Sequence, residues 1–256
     1  MGSFDGTARR LAIGPTLLFP ADPVDAMADA VLRYDPAVHV RSDRFVFGNG
    51  VLLHGPIEVT ADLARRAGLP SGMAAAYYGG SGVQGRERRP DDAKLQDAER
   101  LVRGLWARLG GMIHGERPPA DLTLRASVYS ARELPVEEVI GVLQPFADGK
   151  LSIDDDTEVA DAYFLITEED SLFFTMYWPP RLARSKLQPP PPATGELHDK
   201  NPCRWDLRTK LPAQSAGSQT CLRVGEAALV LARAAGGVVI DVYGFPVSRP
   251  EDLLPR

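Results

Sequence analysis

A helix with an apolar stripe that stops at a glycine pair and runs directly into a short apolar strand occurs twice in this chain. That repetition limits the possible folds more than any other feature. The first copy is Asp91 to Gly111, DDAKLQDAERLVRGLWARLGG, followed by MIHG; the second is VGEAALVLARAAGG, ending at Gly236-Gly237, followed by VVIDVYGFPV. In the first copy Leu95, Ala98, Leu101, Val102, Leu105, Trp106 and Leu109 recur at the three- and four-residue steps that stack side chains on one helical face. Asp91 and Asp92 stand where free backbone N–H groups and the helix dipole favour anions. The glycines end each helix, because glycine tolerates the left-handed conformation that closes it.

The segments around the two copies follow one order. In the first half, Leu11 to Phe19 reads as a strand, interrupted by Gly14-Pro15, after a loose lead-in over residues 1–10. PADPVDAMADAVLRY reads as a helix with Asp22 at the cap and Pro23 at the first helical position, ended by Asp35-Pro36. Phe45-Val46-Phe47 and Val51-Leu52-Leu53 flank Gly48-Asn49-Gly50, a hairpin signal. Residues 61–68 predict a short helix, and 71–90 a loop. In the second half, LTLRASVY is a strand and ELPVEEVIGVLQPF matches the first-half helix across its Pro-Val-acidic start. Residues 162–166 and 172–178 form a hairpin around TEEDS, and a proline-rich insertion follows at about 179–220, including Pro189 to Pro192.

Strand-helix-strand-strand-helix-strand is the ferredoxin-like order, in which two helices pack on an antiparallel sheet. The expected architecture is therefore α+β: a tandem duplication of ferredoxin-like (βαββαβ) units over 1–119 and 120–256, with the insertion in the second. A chain of 256 residues is long enough for two such units.

Composition narrows the class of function. A net charge of −5 removes the electrostatic footprint of a dedicated nucleic-acid binder, while leaving room for a local basic patch. No run reaches the length of a membrane span and the first residues lack a signal peptide's apolar core, so a cytoplasmic location is the expectation. Cys203 and Cys221 are too few for a disulfide scaffold and read as free thiols.

The chemistry-bearing motifs are sparse. Gly80 to Gly85 spells G-x-G-x-x-G but runs into the charged RERRPDD instead of a helix, so it reads as a surface loop and not a dinucleotide site. Asp154, Asp155, Asp156, Glu158 and Asp161 lack the spacing of a calcium loop and read as a solvated turn. His39, His54, His114 and His198 show no metal-ligand spacing, and His198 with Cys203 is a weak nucleophile-base pair. No catalytic, cofactor or metal residues are assigned on these grounds.

What remains is a binding surface. Tyr77, Tyr78, Arg86, Arg88 and Arg89 on the 71–90 loop, with Trp178 and Trp205 bracketing the insertion, are residue types in which protein interfaces are enriched. Trp205 also reads as an anchor holding the insertion to the body. The functional expectation is a non-catalytic protein-binding module, of adaptor or immunity type, engaging a partner protein through loops 71–90 and 179–220. The alternative is an enzyme or small-ligand binder with a pocket between the units.

Overall fold

The computed structural model describes residues 2–83, 86–87, 92–114, 123–147, 149–154, 162–166, 172–177, 191–197, 202–212 and 217–254. It is a mixed α/β fold with two sheets, divided into two compact units, Met1–Pro118 and Pro119–Pro255.

The first unit begins with α1 (Gly2–Ile13), where the sequence suggests a lead-in over 1–10 and a strand starting at Leu11; the strand starts only at Thr16. Then come β1 (Thr16–Phe19), α2 (Val24–Tyr34), β2 (His39–Arg41), β3 (Arg44–Val46) and β4 (Val51–Glu58). They are followed by α3 (Ala61–Ala67), β5 (Ala75–Val83), β6 (Arg86–Glu87), α4 (Asp92–Leu109) and β7 (Met112–His114). Among the described residues its sheet runs β2-β3-β4-β5-β1-β7, with β6 paired to β5, and the pairings are antiparallel. The Gly48-Asn49-Gly50 hairpin forms, joining β3 to β4. α3 also forms, capped by the Thr60 hydroxyl and closed by left-handed Gly68.

The sheet is covered on both faces. α4 packs on β4 and β5 from one side, so closely that a Cβ on Gly79 would lie 3.1 Å from the Ala98 Cβ. On the other side α1 and α3 bring Ala8, Leu11, Leu63 and Ala67 onto Leu18, Ala76 and Tyr78. A central strand covered twice has no polar face to show, and β5 accordingly reads Ala-Ala-Tyr-Tyr-Gly-Gly without alternation.

The second unit holds β8 (Thr123–Ser130), α5 (Val136–Leu143), β9 (Ser152–Asp154), β10 (Ala162–Ile166) and β11 (Leu172–Tyr177). A 3-10 segment at Pro192–Leu197 precedes β12 (Cys203–Pro212), α6 (Ser218–Ala235) and β13 (Val238–Asp241). The strand order is β13-β8-β12-β11-β10-β9, again antiparallel. Leu124, Ala126, Val128, Trp205 and Leu207 bury one sheet face against Val224, Ala228 and Leu231 of α6 and Val139 and Leu143 of α5. Burying such aliphatic side chains stabilises each by about 1.5–3 kcal/mol.

Two expectations are corrected at the same place in each unit. Much of the 71–90 stretch is β5, and the 179–220 insertion contains β12; both are central strands. Each sheet also gains a strand ahead of its hairpin, β2 in the first and β9 in the second. The second glycine of each pair passes close to the unit's first strand, although Gly111 is left-handed (φ 87°) and Gly237 is not. A Cβ on Gly111 would stand 2.5 Å from the Leu18 carbonyl oxygen, and one on Gly237 would stand 2.4 Å from that of Tyr129. In register, Leu18 pairs with Met112 and Tyr129 with Val238.

Candidate functional site

β8 and β12 each alternate apolar and polar side chains, so one face of the second sheet is apolar and the other carries charge. The apolar residues lie under α5 and α6. The opposite face carries Arg125, Ser127 and Tyr129 from β8 and Arg204, Asp206 and Arg208 from β12. The register sets Arg125 across from Arg208, Ser127 from Asp206, and Tyr129 from Arg204.

Asp206 is the hub, with a side chain only 1% exposed. Arg204 holds it with both ends of its fork, Nε donating to Oδ1 at 2.8 Å and Nη2 to Oδ2 at 3.0 Å. Ser127 Oγ donates to Oδ1 at 2.6 Å, and Arg208 Nη2 to Oδ2 at 3.4 Å. Both carboxylate oxygens are thus engaged, as burying a charge requires. Arg204 also lies 5.6 Å above the Tyr129 ring centroid, a cation–π distance. Burial raises the Tyr129 phenol above its usual range, with the Arg204 charge working against that shift.

Arg125 stands apart from this arrangement. Its Nε is buried with no hydrogen-bond partner. Burial pulls its guanidinium pKa down, opposed by the field of Asp206 and assisted by the charges of Arg204 and Arg208. Three guanidinium groups gather about one carboxylate. Like charges placed directly across a ladder are destabilising, and Arg125 and Arg208 are such a pair. Arg208 remains reachable, with a side chain 33% exposed, and Arg125 is half-buried.

Of the residues expected at an interface, the described ones do not join this polar face. Tyr77 and Tyr78 are not on a loop; they lie in β5, 1% and 6% exposed. Tyr77 donates its hydroxyl proton to Asp22 Oδ1 at 2.7 Å, and burial with that bond raises its pKa. Asp22 is therefore occupied by this bond; the α2 N-cap is Pro23, without a side-chain cap. Tyr78 stacks on His54 at 4.5 Å and accepts a bond from Arg10 at 3.2 Å. Trp205 is 2% exposed within the second core, which is the anchoring position. Arg86 lies in β6, while Arg88, Arg89 and Trp178 lie outside the described residues.

The other motifs divide in the same way. The glycine-rich Gly80–Gly85 stretch starts inside β5. Asp154 ends β9, and Asp155, Asp156, Glu158, Asp161 and His198 lie outside the described residues. Cys203 and Cys221 are free, buried thiols whose pKa burial raises, for Cys203 with help from Glu133. Among the described residues no group of three or more His, Cys, Asp and Glu gathers as a metal site. No described helix is long and apolar enough to cross a membrane.

The residues of the charged face are the polar half of two alternating strands. Their signal is the pattern Cys-Arg-Trp-Asp-Leu-Arg-Thr, which the proline-rich sequence before it obscures. Compared with known proteins, the chain matches no family model, no curated protein and no solved structure.

Proposed function

We propose that the chain is a non-catalytic binding protein, of adaptor or immunity type, that engages an acidic partner protein through the Arg125–Arg208 face of its second unit. The observation that carries this reading is the cluster of Arg125, Arg204 and Arg208 about Asp206 on the polar face of β8 and β12, in which the Arg125 Nε is buried without a partner. A guanidinium with a buried, unpartnered Nε suits a surface that receives negative charge. The chain's net charge of −5 disfavours long polyanions, which narrows the partner to a protein presenting a short acidic stretch.

The same proposal includes an origin by duplication of a ferredoxin-like core. Setting aside β2 and β3 in one sheet and β9 and β10 in the other leaves the order β4-β5-β1-β7 and β11-β12-β8-β13. The split βαβ arrangement has the same order, which supports the reading. The close passage of Gly111 over Leu18 and of Gly237 over Tyr129 supports it, as do the buried aromatics Tyr77 and Trp205 at matching points of β5 and β12. Within this scheme the units have diverged in covering. Where the first closes its second face with α1 and α3, the second carries arginines, and the described residues place no α-helix there.

The test is crosslinked affinity capture from the protein's own source cells, comparing wild type with Arg125→Glu. A partner held by wild type, lost by the variant and recovered by reversing an acidic residue of the partner supports the reading. An identical set of captured proteins with both baits contradicts it.

A further inference from the structure

The β2–β3 hairpin carries the first sheet past β4 and ends it in β2, whose three residues are all exposed. The ladder fixes which way each backbone group turns. Phe47 N–H donates to the Val51 carbonyl and Gly55 N–H to that of Asp43, so the odd-numbered residues from Asp43 to Phe47 bond toward β4 and the even ones, Arg44 and Val46, toward β2. Their partners Arg41 and His39 are therefore engaged with β3, and Val40 between them turns its N–H and carbonyl outward. An extended chain laid antiparallel along β2 exchanges both bonds with Val40.

The side chains sort by face. His39 and Arg41 share a face with Arg44, which stands directly across from Arg41. His39 and Arg41 are exposed, and among the described residues no carboxylate pairs with Arg41. Asp43, the one acid of the hairpin, lies in the turn 3.6 Å from Arg44 Nε, and that buried nitrogen has no hydrogen bond. The opposite face offers Val40, 57% exposed beside buried Phe45. A second copy of this chain fits the edge poorly. Antiparallel self-pairing centred on Val40 sets Arg41 of each copy against His39 of the other, basic against basic.

We propose that the outer edge of β2 is a strand-addition site for an extended segment of a partner protein that reads acidic-apolar-acidic, its apolar residue opposite Val40 and its acids beside His39 and Arg41. This docking surface lies on the first unit and is independent of the Arg125 face. Backbone pairing at Val40 supplies affinity, and the alternation of charge and apolar surface supplies choice.

Fluorescence polarisation with the full chain and a labelled Thr-Glu-Val-Glu-Thr peptide tests this. Its controls are the Gln-Val-Gln counterpart and the Glu peptide N-methylated at its valine, which cannot donate to the Val40 carbonyl. Val40→Pro removes the outward N–H, a change that an edge position facing solvent tolerates. Saturable binding of the Glu peptide is expected, weakened about tenfold by the Gln exchange, by N-methylation, by Val40→Pro and by Arg41→Glu. No saturable binding, or binding indifferent to N-methylation, overturns strand addition, whether or not the proline variant folds. Loss on N-methylation with equal affinity for the Gln peptide overturns the acidic segment. Glu-peptide binding lost in Arg125→Glu but kept in Arg41→Glu and Val40→Pro assigns the peptide to the second unit and overturns this site. A dimer by light scattering that Val40→Pro dissolves gives the edge to a second copy and overturns it as well.

Discussion

Arg125 faces Arg208 across the β8–β12 ladder, two positions along from the Ser127–Asp206 pair, whose carboxylate is held by Arg204 and Ser127. Arg125 thus adds a guanidinium with a buried, unpartnered Nε to that network. Its consequences for stability and binding can be measured separately.

The hub should be the most sensitive position on that face. Asp206→Asn leaves Arg204, Arg208 and Arg125 without their buried counter-charge, and breaking a buried pair from one side costs about 3–5 kcal/mol. Ser127→Ala removes one bond to the same carboxylate and should cost about 1.5 kcal/mol. Urea unfolding followed by circular dichroism gives both values. Equal, small losses would mean that Asp206 does not organise the site.

Close backbone passage constrains the second glycine of each pair, and Gly111 is constrained further by its left-handed φ of 87°. Gly111→Ala and Gly237→Ala both drive a Cβ into a carbonyl oxygen of the neighbouring strand, so each should destabilise its own unit by roughly 1–3 kcal/mol. Gly236→Ala disturbs only a left-handed cap in open space and should cost about 1 kcal/mol. Hydrogen exchange resolves the two units, and a loss at Gly111 without one at Gly237 would count against their equivalence.

Several buried groups hold their protons more tightly folded than unfolded: the phenols of Tyr77 and Tyr129 and the thiols of Cys203 and Cys221. Below the unfolded values both states are protonated, and this contribution is present in full. As pH rises past about 8.5 for thiols and about 10 for phenols, the unfolded chain loses protons that the native state keeps, so stability falls. Denaturant midpoints should decline from pH 8 to pH 11, and native alkylation of both cysteines at pH 8 should be slow against the unfolded chain. A flat profile would contradict the burial of these groups.

How far the sequence discloses this molecule depends on how each strand is covered. The helices and the Gly48-Asn49-Gly50 hairpin are legible because one-sided burial writes a period and the turn demands its own residues. β5 is not, because α4 on one side and α1 with α3 on the other erase the alternation, and its glycines serve helix approach at Gly79 where they suggest a loop. β12 does alternate, yet it follows a run of prolines that reads as an extended insertion. The site is hidden for a related reason: polar residues at every second position are what an ordinary solvated face also shows, and only the ladder register sets Arg125 against Arg208.

The most direct measurement pairs thermal unfolding with partner capture for Arg125→Met, which keeps the side chain's apolar stem and removes its charge. Relief of the like-charge crowding at Arg125 predicts a melting temperature equal to or above wild type, together with loss of the captured partner. A melting temperature lowered by several degrees with partner capture intact would show that Arg125 serves the fold and not a ligand.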